Sequence, residues 1–337
     1  MMDAMKSEIR SWAAELGFDQ IGFCAADRWP EDEQTLLRWI ASGKHAGMGY
    51  LARHAARRAD PRGLLAEARS LVVALAAYPD AGRGSAIASY ALLRDYHMEL
   101  SERLARLLLR IQDVEPAATG TVCVDTRPLL ERRAAAAAGL GWVGKSTMLL
   151  NTEHGPWFML GVLILSLDLP PDRPQAARCG TCTACLDACP TNALSETGGL
   201  DSRRCLSYWS IEHRGPSPEA IREANGERLF GCDECLRACP FGDPGARPPD
   251  PLLRDASELA GLTPERLLEL LEQGFNRHFK RFALSRAGKA GLIRNALTAL
   301  GNSGSHAQIP LVKRYLAHDN EGVRSHAFWA LKKLEQC

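Results

Sequence analysis

Apolar side chains at Met5, Ile9, Trp12, Ala13 and Leu16 fall three or four residues apart. They predict an amphipathic first helix, with Asp3 placed to cap it and Gly17 to end it. Four apolar runs then read as strands: 20–25, 70–78, 121–125 and 157–167. Helical stretches separate them, notably 99–112 and 128–138. This is the pattern of an α+β or α/β domain over residues 1–168. A Pro-rich linker, LPPDRPQ, opens a second segment, 169–250, with few periodic elements of its own. GDPGARPPDP (242–251) reads as another linker. Residues 251–337 are helical again, and IRNALTAL (293–300) and VRSHAFWAL (323–331) look like copies of one helix. They lie about 30 residues apart, the spacing of a helical-repeat pair.

Composition and charge narrow the class. The longest apolar run, 157–167, is near half of what a spanning helix needs. The first helix carries acids and lacks the apolar stretch of a signal peptide, so a cytoplasmic protein with no membrane partner is expected. Between Gln273 and His318 there is no Asp or Glu, yet there are eight Lys or Arg. Residues 319–337 are neutral, so the chain's +1 leaves residues 1–272 at −7. An acidic body with a basic C-terminal segment suggests an anionic partner.

Eight of the 11 cysteines lie between Cys179 and Cys239, a cluster that reads as metal binding. Cys179-x-x-Cys182-x-x-Cys185-x-x-x-Cys189-Pro190 is the bacterial ferredoxin run. A second set is Cys205, then Cys232-x-x-Cys235-x-x-x-Cys239-Pro240, its first ligand set back by 26 residues. In such pairs the fourth Cys crosses to the other cluster. One [4Fe–4S] cluster would take Cys179, Cys182, Cys185 and Cys239; the other would take Cys205, Cys232, Cys235 and Cys189. Structural zinc is the alternative, but a third closely spaced Cys and the Cys-Pro ends fit it poorly. Cys24 and Cys123, in apolar strands, read as small buried residues, and Cys337 as inert.

Gly139 to Ser146 fits the phosphate loop G-x-x-x-x-G-K-[ST], and its glycines also fit G-x-G-x-x-G. Both motifs need a strand before and a helix after. The preceding ERRAAAAA is a strong helix former, so Gly139 reads as a helix C-cap. Three features of the first domain are unusual: Asp125 at the end of a strand, Asp95-Tyr96-His97 at the start of a helix, and Arg58 in HAARRADP. From spacing alone a helix N-cap is the stronger reading of Asp125 than catalysis.

Taken together, RADP (58–61), RDYH (94–97), VDTRPLLER (124–132), GLGWVGKSTMLL (139–150), the two Cys motifs, RCLSYWSIEHRG (204–215) and RNALTALGN (294–302) carry a resemblance running nearly end to end. The chain resembles the epoxyqueuosine reductases, cobalamin-dependent enzymes of the last step of queuosine synthesis in tRNA. The resemblance implies an α+β chain. Its N-terminal domain would be nitroreductase-like and cobalamin-processing-like, seating base-off cobalamin against a ferredoxin-like two-cluster module. HEAT-like helices, the tRNA-binding part, would follow. It places the proton donor on Asp125, and cobalamin contacts on Asp125, Arg58, Arg132, Leu149 and Ser207. An external low-potential donor would feed a monomeric enzyme, and a carboxylic acid near the apolar corrin face would have a raised pKa. The tRNA phosphates would meet Arg277, Lys280 and Arg281, expected on one helical face by their i, i+3, i+4 spacing. Two other classes share part of this pattern: a reductive dehalogenase, and a non-catalytic ferredoxin-type electron donor.

Overall fold

The computed structural model describes residues 2–197, 199–242 and 257–336. Most of the expected second linker, and Cys337, lie outside the described residues. Four strands form one sheet: β1 (Gln20–Ala25), β2 (Ser70–Ala77), β3 (Gly120–Cys123) and β4 (Phe158–Leu165). Their order is β1-β2-β4-β3 and every pairing is antiparallel, with Val73 opposite both Gly22 and Val162. That settles the first domain as α+β. The run SLVVALAA does not alternate with polar residues because both faces of β2 are covered.

One face carries Phe23, Val72, Ala74, Leu163 and Leu165. It packs against helix α1 (Met2–Glu15) through Met5, Ile9 and Ala13, and against α2 (Tyr96–Val114) through Leu100, Leu104, Leu107 and Ile111. Asp3 lies inside the first turn of α1 rather than capping it. The opposite face, with Leu71, Val73, Val162 and Ile164, takes the short Ala-rich helix α3 (Glu131–Ala137). Alanines suit α3 because it ends close to the sheet: a Cβ on Gly22 would fall 2.1 Å from the Ala138 carbonyl oxygen. Cys24 and Cys123 are buried in this second core, as expected, and burial pushes both thiols up to about 12.

LPPDRPQ is strapped down rather than loose. Asp172 accepts bonds from Lys6 at 2.9 Å, from Arg10 at 2.6 Å and from the Phe23 amide at 2.9 Å. The Cys-rich segment beyond it has two four-residue helices, Ala184–Asp187 and Glu234–Arg237, packed on one another, one π turn, Tyr208–Glu212, and one seven-residue helix, Glu219–Asn225.

The C-terminal core is built from α4 (Pro264–Phe279), α5 (Gly288–Asn302) and α6 (Glu321–Glu335), with Phe279, Phe282, Leu292, Leu297 and Ala330 inside it. Ile87 and Phe230 join the same core from the other two segments. The two look-alike sequences fall in α5 and α6, which pack together. One face of α5 is polar and buried. Arg294, 3% exposed, donates to the carbonyls of Trp209, His213 and Gly215. The Asn295 amide donates to the carbonyls of Ser210 and Leu229, each at 2.8 Å. The Asn302 amide reaches those of Arg222 and Gly226, also at 2.8 Å.

Asn295→Leu keeps the volume and removes the donor. It is expected to cost about 1–3 kcal/mol for each carbonyl left without a partner, read as a lower urea midpoint under anaerobic conditions. An unchanged midpoint would show that these bonds hold nothing.

Candidate active site and cluster-binding thiols

Strand β3 delivers Asp125. The chain ends the strand at Cys123, buries Val124, and turns so tightly that the Thr126 amide meets the Val124 carbonyl at 2.5 Å. Asp125 takes φ 55°, a left-handed conformation costly for a residue with a Cβ. Such strain at a strand end points to function. Asp125 is not a helix cap, because α3 starts only at Glu131 and Leu130 is its N-cap residue. Instead the Asp125 amide donates to Glu131 Oε1 at 2.6 Å. The Leu130 amide bonds the carbonyl of Arg58, at the end of a short helix Ala55–Arg58, which ties that helix to the same loop.

The start of α2 faces this turn. Asp95 caps the helix by accepting the His97 amide at 3.1 Å, and its Oδ1 lies 2.6 Å from His97 Nδ1. His97 Nε2 lies 3.2 Å from Asp125 Oδ2, and the Tyr96 hydroxyl donates to that same oxygen at 3.2 Å. The Tyr96 and His97 rings stack with centroids 4.1 Å apart. The hydrogen bond from His97 is the largest influence on Asp125 and holds its carboxyl below the usual range, against desolvation. This is opposite to the raised value expected near a corrin. His97 loses some charge stability to burial, but bonds to Asp125 and Asp95 outweigh this and push it up to about 9. Burial, then the charge of Asp125, push Glu131 up to about 8.

Asp125 has a side chain 65% exposed, yet its surroundings are crowded enough for desolvation to oppose its ionisation. Arg132 is likewise exposed, while burial is the largest influence lowering its pKa. Accessible groups in crowded surroundings mark the floor of a recess. Arg132 donates to the carbonyl of Thr147, another left-handed residue, φ 65°. Arg58 lines the recess and keeps its Nε buried without a hydrogen-bond partner. The Tyr50 ring lies 5.9 Å from the Arg58 guanidinium and 5.7 Å from that of Arg286. Arg286 in turn grips both carboxylate oxygens of Glu212 at 2.9 Å. Sequence reasoning assigned no site role to Tyr50, Glu212 or Arg286; Glu212 lay inside SYWSIEHRG and Arg286 inside the acid-free basic segment, while Tyr50 lay in no stretch singled out. Leu149 is 2% exposed, its side chain in the second core, and the Ser207 hydroxyl bonds the Cys205 thiol.

The motif thiols fall into two groups by the neighbours whose charge each one feels. Cys185 feels Cys239, Cys179 and Cys182. Cys235 feels Cys232, Cys205 and Cys189. The amides of Ser207 and Tyr208 also bond the Cys205 sulfur. Among the described residues no three His, Cys, Asp or Glu side chains gather round a point fit for a single metal ion. The phosphate-loop match dissolves: α3 precedes Gly139, which is left-handed at φ 74°, and a two-residue strand pairing follows in place of a helix. A Cβ on Gly144 would lie 3.3 Å from Cys179 Sγ, and Lys145 donates to the Cys182 carbonyl at 3.0 Å. The segment is therefore a wall between the recess and the first Cys motif.

The i, i+3, i+4 spacing of Arg277, Lys280 and Arg281 does not fall within one helix. Gly274, at φ 145°, kinks α4, which ends at Phe279; Lys280 is its C-cap and Arg281 follows in a turn. All three side chains are exposed. Of the eight basic residues in the acid-free segment, Arg286 binds Glu212, Arg314 binds Glu272 at 2.7 Å and Arg294 is buried, so the basic surface is smaller than the count suggested.

Among the described residues no helix is long and apolar enough to cross a membrane. Residues 58–126 match the family model "Epoxyqueuosine reductase QueG, DUF1730", and residues 178–242 match a "4Fe-4S double cluster binding domain". An epoxyqueuosine reductase of Xanthomonas campestris is 37% identical, with 96% of this chain and 95% of that one aligned. A crystal structure of epoxyqueuosine reductase with an epoxyqueuosine-modified tRNA-Tyr stem loop superposes with a TM-score of 0.89 at 29% identity, covering 99% of this chain and 91% of that one. The Bacillus subtilis enzyme, solved with its catalytic aspartate loop swung out of the active site, gives 0.90 at 29% identity over the same shares. A likeness of this extent, through all three segments and both Cys motifs, leaves no room for the dehalogenase or the bare electron donor: the chain belongs to the epoxyqueuosine reductase family.

Proposed function

We propose that this protein reduces the epoxide of epoxyqueuosine in tRNA to give queuosine and water, using cobalamin fed by two [4Fe–4S] clusters, with Asp125 as proton donor. The observation that carries the reading is the recess itself: a strained, accessible carboxylate bonded to His97 and Tyr96, beside Arg132, which bonds the segment that also touches Cys179. The related enzyme solved with its catalytic aspartate loop swung out of the active site supports the choice of a loop aspartate. The residues present fit a corrin bearing amide and phosphate groups. Arg58 offers a buried donor without a partner, and Arg132 is a cation open to the recess. Leu149 could serve only through its backbone, since its side chain is in the core, and Ser207 is already committed to Cys205. When bound, the clusters supply single electrons and cobalamin supplies a strongly reducing nucleophile.

The chain's own contribution is positional and acidic. Cys179, Cys182, Cys185 and Cys239 would hold one cluster, and Cys205, Cys232, Cys235 and Cys189 the other. The tight turn aims Asp125 into the recess, while Tyr96 and His97 fix which oxygen is engaged. Removing the epoxide oxygen as water needs two protons, which Asp125 delivers. Exposed Arg277, Lys280 and Arg281 would meet tRNA phosphates, and the C-terminal helices, read as HEAT-like, would carry them. The further expectations are a cytoplasmic monomer and an external low-potential electron donor.

Anaerobic protein should hold about eight iron and eight sulfide. Cys189→Ala and Cys239→Ala should each damage mainly the cluster held by the other motif. Stoichiometric zinc in place of iron would refute the assignment.

Asp125→Asn keeps the shape and removes the acid. It should retain iron and cobalamin yet lose ~10²–10⁴-fold in turnover, the usual worth of general acid catalysis. Normal turnover of this variant on epoxyqueuosine-tRNA would place the donor elsewhere.

Arg277→Glu combined with Lys280→Glu should weaken tRNA binding and flatten its salt dependence, by roughly 0.7–0.9 in log–log slope for each phosphate no longer neutralised. Iron content should not change. Wild-type affinity and slope would mean that the RNA surface lies elsewhere.

A further inference from the structure

The hydrogen bond from His97 favours an ionised Asp125, so the proton that Asp125 is to deliver must be stored beside it. Three groups are within reach. Burial raises Tyr96 far above its usual value, so it keeps its proton. Glu131 faces the Asp125 amide, not its carboxylate. His97 bonds Asp125 Oδ2 through Nε2 and Asp95 Oδ1 through Nδ1. Resting on the reading of Asp125 as donor, we propose that His97 is the positioning residue that stores the proton and passes it through Asp125, with Asp95 fixing its tautomer.

The balance is as follows. Two electrons from the clusters and two protons convert the epoxide to an alkene and water, as both C–O bonds to the oxygen break. For each proton the leaving oxygen takes, His97 Nε2–H first passes one to the ionised Asp125, which hands it on and is ionised again, and the imidazolium becomes neutral imidazole. Asp95 retains the Nδ1–H bond, which keeps Nε2 facing Asp125. The His97 side chain is 29% exposed, so water can restore its charge between the two transfers. The other ionisable groups around the pair are Tyr96 on its own helix, Glu131 and Arg132 on α3, Tyr50 and Arg58 on the short helices, and Arg286 from the C-terminal core. Of these only Glu131, near 8, titrates close to the relevant range.

The test is the pH profile of single-turnover conversion by the fully loaded enzyme. His97 holds its proton below its folded value and loses it above, so the wild-type rate should fall as pH rises through about 9. Glu131→Gln should leave that limb in place. In Asp95→Asn, His97 loses one carboxylate partner and the limb should move to lower pH. His97→Gln still offers a donor to Asp125 but stores no proton. Its rate at pH 7.5 should drop ~10²-fold or more and recover in part as the pH is lowered towards the carboxyl range. Iron content and thermal unfolding check that each variant is folded. A limb that stays put in both His97→Gln and Asp95→Asn overturns the proposal. If Asp125→Asn is inactive while the limb does not move, only the role of His97 has failed; if Asp125→Asn is fully active, the reading beneath it has failed.

Discussion

The constraint on which the rest depends is the supply of hydrogen-bond donors to a segment with only short helices and no sheet of its own among the described residues. Metal-folded loops leave backbone carbonyls without ladder partners, and buried carbonyls must be met. Here the neighbouring domains meet them with side chains. Trp39 donates to Leu200, Lys145 to Cys182 and Trp157 to Gly242 from the N-terminal side. Arg294, Asn295 and Asn302 supply further carbonyls of the same backbone from α5. His326, kept neutral by burial and pushed down to about 2, accepts from the Ser217 amide and hydroxyl. The Cys-rich module is thus less a free ferredoxin than a filling whose polar backbone is satisfied from both sides. That explains why RNALTALGN looks like a helix with the wrong face: Arg, Asn, Thr and Asn stand where an ordinary repeat would be apolar.

How much was legible in the sequence follows from the same physics. β1 and β2 were readable because burial on both faces leaves an unbroken apolar run, and β4 for the same reason. The Cys spacing carried its own geometry. The end of β3 and the start of α3 were less readable, since 121–138 mixes a tight turn with a short Ala-rich helix, and the left-handed Asp125 has no sequence signature. The basic segment misled in a specific way. Counting charges assumes that they point outward, whereas Arg286, Arg294 and Arg314 are held by Glu212, by carbonyls and by Glu272. Spacing of i, i+3, i+4 assumes a helix that runs through all three residues, and this one ends at Phe279, before Arg281. Tyr50, set between two guanidinium groups from distant parts of the chain, is a tertiary feature with no local pattern to find.

The direction of the Asp125 shift was also beyond sequence reasoning. An aspartate in a crowded recess would be expected to rise by desolvation. Which influence wins depends on whether a hydrogen-bond donor reaches the carboxylate, and that depends on α2 arriving with His97 forward. The stacked Tyr96 and His97 rings and the Asp95 cap fix that orientation. The recess therefore favours a stabilised anion with a charged neighbour, and the protonation of either belongs to the pair rather than to one residue.

The pair is also tied to the far end of the chain. The Asp95 amide donates to the Arg281 carbonyl at 3.0 Å, and Arg94 forms a β-bridge with Phe282. Phe282 is 1% exposed and anchors the C-terminal core, while Arg281 next to it is exposed in the basic turn. The backbone that presents basic side chains outward thus holds, on its inner side, the cap residue that orients His97. Arg286, four residues beyond Phe282, grips Glu212 and faces Tyr50 within the field of Asp125. A polyanion drawn to this turn would press on a segment already bonded to both sides of the recess. Through this backbone the C-terminal core helps to set where Asp95, and with it His97, stands beside Asp125.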